Sequence, residues 1–299
     1  MFNARIGIDI GNGYVKYKGK VFKTRVKTGK VLKVGHIRDD VHTVKMNGLD
    51  FIVGDGEMVT GEDKYDNIRF KLCVLTAIAD ANKRFKNLKV KLCLGMPLLD
   101  KERLEDEVTQ KILSWGEQSL IVDDREVTIE IVDVDIFIEG ALPILTEDTG
   151  HILTLDIGSG TVNAIEWEGM TPINFDTLKG SFYKMYSDMA TYLNNTKGGN
   201  FTVADVEKLV LKGKKETIIK QVMTDISEIY MIMDDFVSGS ASLLKQKFNT
   251  EQVEKIQLLG GGATPSFDYW VKHFPHAYVE LVPNSQFINS EIYEMVANM

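Results

Sequence analysis

The stretch 6-IGIDIGNGYVKY-17 decides the fold of this chain. An apolar run leads to a carboxylate, Asp9, which is followed by the turn Gly11-Asn12-Gly13 and by an alternating run that contains Lys16. Nearly the same phrase returns at 152-ILTLDIGSGTVNAI-165. The sequence therefore predicts two strand–turn–strand units, each with an acid at the mouth of its turn.

Such a turn has a definite chemistry. Successive backbone N–H groups in a tight glycine turn form a concavity that binds anions, phosphate above all. Glycine is expected because a side chain would block close approach and because the turn is expected to use positive φ. Asn12 and Ser159 add short hydrogen-bonding side chains. The nearby acid makes sense if Mg²⁺ lies between carboxylate and phosphate. Either turn alone is also typical of a plain hairpin, but the pairing favours phosphate binding.

A third glycine segment is 256-IQLLGGGATPSF-267. Three glycines between a predicted buried strand and a predicted helix would let a flat ligand lie against the backbone. The alternative is an ordinary turn at the start of a helix, although three glycines exceed what a cap needs.

The order of predicted elements repeats as well. Each half begins with a three-strand meander and continues with alternating helices and strands. This pattern predicts α/β architecture with two similar sheets and a cleft between them. Residues 215–247 are expected to form one long helix, broken or bent near 237-VSG-239.

Composition limits the functional classes. The chain has 299 residues and a net charge of −8, which argues against a general nucleic-acid binder. No apolar run approaches the roughly 20 residues of a membrane span, and no signal peptide or membrane contact is expected. Cys73 and Cys93 are interpreted as core residues in a reducing, cytoplasmic compartment. The five histidines show no ligand spacing, so a structural metal site is not expected.

Residues 16–45 form a basic strip with ten Lys or Arg and two Asp. One interpretation is a hairpin whose lysines protect a sheet edge. The other is a contact surface for an acidic partner, such as a second copy of the chain.

Taken together, these segments resemble the superfamily of actin, the sugar kinases and the heat-shock chaperone ATPases. The two hairpins resemble its phosphate hairpins, LLGGGA its adenosine turn, FIEGALPIL its linking helix and NSQFINSEIYEMV its terminal crossing helix. The resemblance implies a duplicated ribonuclease-H-like fold with two domains around a nucleotide cleft. Domain I would comprise 1–140 plus 283–299, with a basic outer subdomain at about 28–66. Domain II would comprise 141–282, with a small outer subdomain.

Within the superfamily, the chain looks most like the bacterial plasmid-segregating actins of the ParM and StbA group. The short length, the DIGNGYVK form and the YEMV-like ending carry this likeness. A chaperone's peptide-binding domain, a kinase's sugar-binding acid and a cell-shape actin's membrane helix are not recognised in the sequence.

The resemblance also implies roles for residues. Asp9 and Asp156 would hold Mg²⁺ through water, and Glu139 would orient the water that attacks the γ-phosphate; a helix-dipole acid is the alternative for Glu139. The remaining implied contacts lie in three groups. The phosphates would be bound by Gly11, Asn12, Gly13 and Lys16 on one side and by Gly158, Ser159, Gly160 and Thr161 on the other, and the adenosine by Gly260, Gly261 and Gly262. Lys208 and Lys212 would lie near the ribose and base, although a solvated helix face explains them better.

The implied function is an ATPase, with GTP as the alternative nucleotide, that polymerises with nucleotide and disassembles after hydrolysis. Its filaments would segregate plasmid DNA through a DNA-bound adaptor of the ParR type, in the bacterial cytoplasm and without direct DNA binding. A phage-encoded filament that positions viral DNA, and a monomeric small-molecule kinase, remain the alternatives.

Overall fold

The computed structural model describes residues 2–30, 39–58 and 64–299. The chain separates into two compact units, one formed by Met1–Ala141 with Phe287–Met299 and the other by Leu142–Gln286. Each unit has its own β-sheet and its own helices. The α/β class predicted from the sequence is therefore confirmed.

In the described part of unit 1, ten strands form one sheet in the order β3-β2-β1-β8-β10-β9-β5-β6-β4-β7. The strands are β1 (Ala4–Ile10), β2 (Tyr14–Tyr17), β3 (Lys20–Lys23), β4 (Arg25–Thr28), β5 (His42–Met46), β6 (Leu49–Val53), β7 (Glu57–Met58), β8 (Asn87–Met96), β9 (Glu117–Val122) and β10 (Arg125–Ile138). The helices are a short 3-10 helix (Lys64–Asp66), α1 (Ile68–Ala81), α2 (Leu98–Leu113) and α8 (Ile288–Asn298).

The central strands β1, β8 and β10 run parallel, so their carboxyl ends meet at one edge of the sheet. Helix α8 packs directly on β1. A Cβ at Gly7 would lie 2.0 Å from the backbone nitrogen of Glu294, and the Gly7 N–H donates to Glu294 Oε2 at 2.8 Å. Glycine is required at this position because the helix backbone occupies the space of a side chain.

Unit 2 contains a five-stranded sheet in the order β13-β12-β11-β16-β17 and a separate two-stranded sheet, β14-β15. The strands are β11 (His151–Ile157), β12 (Val162–Glu168), β13 (Thr171–Leu178), β14 (Glu216–Ile219), β15 (Val222–Asp225), β16 (Lys255–Leu259) and β17 (Tyr278–Leu281). The helices are α3 (Leu142–Thr146), α4 (Phe182–Lys197), α5 (Val203–Leu211), α6 (Ile229–Lys247) and α7 (Ala263–His273).

The prediction of one helix over 215–247 is wrong. The first third of that segment is the β14–β15 hairpin, whose turn residues Lys220 and Gln221 both have positive φ. Two positive-φ residues between strands are typical of a type I′ turn, which matches the strand twist. The predicted break at 237–239 is also wrong, because α6 continues through it. Gly239 weakens a helix by about 1 kcal/mol at most, and burial of residues such as Met233, Val237 and Leu244 outweighs that cost.

Three strands of unit 1, β5, β7 and β9, were not predicted. Strand β5 pairs with β6 across Asn47-Gly48, and both turn residues have positive φ. Asn-Gly between alternating residues is a strong hairpin signal that could have revealed β5. Both cysteines are buried and free, which confirms them as core residues. Across the described residues, none of the helices has the length and apolar character that a membrane span requires.

Much of the basic strip is matched by acids from elsewhere in unit 1. Five ion pairs join it to other segments: Lys16–Asp9, Lys18–Glu294, Lys20–Asp80, Lys27–Asp55 and Lys30–Asp50. Strand β3, with two of its lysines, forms one edge of the sheet. These contacts favour the sheet-edge interpretation. Residues 31–38 of the strip, including Lys33 and Arg38, lie outside the described residues.

Candidate functional site

The first hairpin is formed by β1 and β2. Asp9 pairs across the ladder with Lys16, and the N–H of Gly11 donates to the carbonyl of Tyr14 at 3.0 Å. Thr24 fixes the turn from the other side, since its N–H donates to Gly13 O at 3.0 Å and its hydroxyl to Gly11 O at 2.7 Å. The turn is therefore stabilised by the β1–β2 ladder and by Thr24, which connects β3 to β4.

Asp9 and Lys16 form an ion pair at the mouth of this turn. The Lys16 ammonium lies 2.7 Å from Asp9 Oδ2, and both side chains are nearly buried, with 11% and 5% of their surface exposed. The predicted metal ligand and the predicted phosphate-binding lysine are thus brought into contact. A buried carboxylate is stable as an anion only beside a cation or hydrogen-bond donors.

Glu139 follows the last residue of β10 and continues the ladder, because its N–H donates to Met96 O at 2.9 Å. The parallel register places Ile8, Leu94 and Ile136 at one level. Asp9 is one residue beyond that level and Glu139 three residues beyond, so both point to the same face of the sheet. Two strand spacings and a two-residue offset along the strands separate their backbones by roughly 12 Å. Helix α3 begins at Leu142, three residues after Glu139, so the helix-dipole interpretation stays the alternative to a catalytic role for Glu139.

Lys64 is a functional candidate that the sequence reasoning missed. Its ammonium donates to the carbonyl of Ile10, the last residue of β1, at 2.6 Å. Burial lowers the pKa of Lys64, while the carboxylates of Glu139 and Asp9 lie close enough to oppose that shift. Lys64 begins a short 3-10 helix in a segment without a recognisable motif, so the neighbouring sequence gave no sign that it lies near the candidate site.

The second hairpin repeats the first in unit 2. Asp156 pairs across β11 and β12 with Asn163, and the N–H of Gly158 donates to Thr161 O at 2.9 Å. The position of Lys16 is thus taken by a neutral residue, which accepts a hydrogen bond from the hydroxyl of Thr177 at 3.0 Å. The carbonyl of Ser159 accepts from the N–H of Tyr183 at 3.1 Å, so this turn, which also contains Gly160, lies against the start of α4.

The glycine turn after β16 adjoins the second hairpin. Gly260 has φ +83, and a Cβ there would lie 2.4 Å from Asp156 Oδ1 and 2.6 Å from Ile157 O. At Gly262 a Cβ would lie 2.5 Å from Ile157 Cγ2. Gly261 is exposed, and a Cβ added there would meet no atom within 4 Å. Gly260 and Gly262 are therefore needed for close packing, and only Gly261 presents an open face.

The expectation that the hairpin turns use positive φ is wrong. None of Gly11, Gly13, Gly158 and Gly160 is among the residues with positive φ. At Gly158 a Cβ would approach Thr161 O to 3.1 Å, closer than is comfortable, whereas at Gly11 the nearest contact would be an ordinary 3.5 Å. Neither backbone conformation nor packing within unit 1 therefore requires glycine at Gly11.

Lys208 and Lys212 are both exposed at the C-terminal end of α5. Thr202 and Asp205 anchor the other end of this helix with a capping box. The exposure of the two lysines agrees with a solvated helix face.

Each of the two hairpins has donor groups that suit a magnesium nucleotide. Asp9 and Asp156 are buried carboxylates at the mouths of two equivalent turns, and Mg²⁺ is held in proteins by one or two carboxylates together with phosphate oxygens. Within unit 1, Lys16 and Lys64 supply positive charge, which a polyphosphate requires.

Comparison with known proteins agrees with this architecture. Residues 7–141 match the family model for the N-terminal domain of actin-like proteins. The crystal structure of Ta0583, an archaeal actin homolog, superposes with a TM-score of 0.83 at 17% identity, covering 100% of this chain and 99% of that one. Another structure of Ta0583 is a complex with ADP, with a TM-score of 0.81, 16% identity, and coverage of 98% and 99%.

Filament proteins share the fold. A 15-stranded ParM filament from Clostridium botulinum superposes with a TM-score of 0.80 at 15% identity, covering 98% of each chain. The apo psk41 ParM protein has a TM-score of 0.69 at 21% identity, with 99% and 97% coverage. A search of curated proteins gave no match. The fold that the sequence resemblance implied is confirmed.

Proposed function

The chain has the fold of actin-like proteins, and residues 7–141 match the family model for their N-terminal domain. We propose that it binds Mg-ATP, polymerises in the nucleotide-bound state and disassembles after hydrolysis. The observation that carries this proposal is the repeated hairpin, in which Asp9 and Asp156 are buried behind equivalent glycine turns. The ADP complex of one structural neighbour and the filaments formed by another support the two halves of the proposal.

Each residue has a distinct task in this reaction. Mg-ATP supplies the phosphoanhydride bond and the metal that polarises it. Asp9 and Asp156 would hold the metal through water molecules, and the backbone turns beside them would bind phosphate oxygens. Glu139 accepts a hydrogen bond from the attacking water and removes its proton. Lys64 keeps the region between Glu139 and Asp9 from becoming too negative for phosphate to approach.

The wider role follows from the same proposal. Filaments that lengthen with ATP and shorten after hydrolysis would move or separate plasmid copies, joined to them by a DNA-bound adaptor of the ParR type. The protein would act in the bacterial cytoplasm without direct contact to DNA.

Assembly and hydrolysis are tested together on purified protein. Light scattering, sedimentation and phosphate release are measured with ATP, ADP, GTP and a non-hydrolysable ATP analogue. We expect pelletable filaments with ATP and with the analogue, and loss of the ATP filaments as phosphate appears. Glu130→Gln is the matched control for Glu139→Gln, because Glu130 lies on β10, the strand that leads to Glu139, and contacts Lys89 away from the site. A chain that binds ATP but stays in the supernatant under every condition would contradict polymerisation and favour a monomeric kinase.

A further inference from the structure

We propose that unit 1 contains a binding site for a divalent transition-metal ion, formed by His42, Asp80 and Asp123. One ligand atom from each residue lies within 4.8 Å of the other two. The three residues line a cavity of about 550 Å³, together with residues that include Tyr17, Lys20 and Lys83. The site is separate from the candidate nucleotide residues in sequence and in its contacts.

The three residues come from different elements. His42 begins β5, Asp80 lies in the last turn of α1, and Asp123 lies in the two-residue turn between β9 and β10. Strands β5 and β9 are neighbours in the sheet, which brings His42 next to that turn. No sequence motif marks this cluster, because its members are far apart along the chain.

Two of the ligands are already oriented. His42 Nδ1 lies 2.8 Å from Asp123 Oδ2, and the backbone N–H of Thr43 donates to Asp123 Oδ1 at 2.9 Å. The His42 ring is buried and packs edge-on against Phe22, with 5.4 Å between ring centroids. A side chain held in this way loses little conformational entropy when it binds an ion.

Asp80 shows that this part of unit 1 attracts cations. It is only 5% exposed, and its two oxygens contact two ammonium groups, Lys20 at 2.7 Å and Lys83 at 2.8 Å. Burial alone would raise its pKa, but hydrogen bonds from these lysines and from Tyr17 hold the pKa at about 2. The carboxylate is therefore charged throughout the physiological range.

A divalent ion can take the place of the two lysines. Their side chains are 48% and 63% exposed, so each ammonium can turn into water. One double charge would then replace two single charges with no net change beside Asp80. The acids Asp39 and Asp40, which also line the cavity, add to the negative potential there.

The donor set indicates the kind of ion. One imidazole nitrogen and two carboxylate oxygens suit Zn²⁺ and related first-row ions, while Mg²⁺ and Ca²⁺ prefer oxygen ligands alone. Three protein ligands leave a position for water. Such an ion would fasten the end of α1 to β5 and to the β9–β10 turn.

The test is a titration of nucleotide-free, chelator-stripped full-length protein with Zn²⁺, followed by calorimetry and by thermal melting. We expect one site in unit 1, a raised melting temperature, and at least tenfold weaker binding in Asp123→Asn. Asp124→Asn is the matched control, because it is the adjacent residue of the same turn and also has positive φ. Its affinity should stay within twofold of the unmodified protein.

Lys83→Met distinguishes a metal site from a purely structural ion-pair cluster. Removal of a competing ammonium should tighten Zn²⁺ binding severalfold, whereas an ion-pair cluster with only a structural role would show no such gain. Asp9→Asn should leave this affinity unchanged, which separates the site from the candidate nucleotide acids. Equal affinity of Asp123→Asn and the unmodified protein, or no tightening in Lys83→Met, would overturn the proposal.

Discussion

Replacement of Gly260 by alanine tests how closely the glycine turn and the second hairpin are built together. The new Cβ would lie 2.4 Å from Asp156 Oδ1 and 2.6 Å from the carbonyl oxygen of Ile157. Ile157 cannot move away easily, since β11 is paired on both sides by β12 and β16. The Asp156 carboxylate must therefore shift.

The magnitude follows from two contributions. Alanine in the left-handed region costs about 1–2 kcal/mol, and Gly260 has φ +83. Overpacking against a fixed strand costs about 1–3 kcal/mol more. The free energy of unfolding of unit 2 should fall by about 2–5 kcal/mol, which corresponds to a decrease in melting temperature of roughly 5–15 °C for a unit of this size.

Gly261→Ala is the matched control. Gly261 is exposed, its φ is outside the left-handed region, and a Cβ there has no neighbour within 4 Å. Its melting temperature should change by less than about 2 °C, as for an ordinary surface substitution.

The assay is differential scanning calorimetry without nucleotide, followed by Mg-ATP titration of both variants. Gly260→Ala should also bind Mg-ATP more weakly because Asp156 is displaced. If the two variants melt at the same temperature, the close packing of Gly260 against Asp156 and Ile157 is not the reason for glycine at this position.

Five further substitutions, at four positions, test the candidate site. Glu139→Gln should slow phosphate release by a factor of about 100 or more while assembly continues, so its filaments should persist in sedimentation assays; normal release would remove Glu139 from the mechanism. Asp9→Asn and Asp156→Asn should each weaken Mg-ATP binding in calorimetry at least tenfold, because each removes a carboxylate from the metal, and unchanged affinity in both would refute the metal assignment. Lys64→Met should reduce phosphate release at least tenfold and Lys64→Arg should retain more activity, since only the arginine keeps the positive charge near Glu139; equal rates in the two variants would show that the charge has no role.

The sequence by itself determined the features that depend on neighbouring residues. The two hairpins could be predicted because an apolar strand, an acid and a glycine turn lie within a few residues of each other. The repetition of this pattern indicated a duplicated fold. Alternation of apolar and polar residues likewise predicts strands at residues 88–95 and 126–138, which lie in β8 and β10. Where local signals conflict, interpretation fails: the pattern of residues 216–225 predicts helix, although the I′ turn at Lys220 and Gln221 makes them a hairpin.

The tertiary structure alone decided which distant side chains meet. Lys64 reaches the end of β1, more than fifty residues away, because the chain between them returns to the same sheet edge. The grouping of His42 with Asp80 and Asp123 likewise depends on strand order and on the end of α1. The sequence could not show that Gly260 and Gly262 are closely packed while Gly261 is open, because all three positions hold the same residue. Hydrophobic periodicity and turn-forming residues act over a few neighbouring positions. Register, strand order and burial depend on the whole packed unit, and they determine which side chains contact each other in the candidate sites.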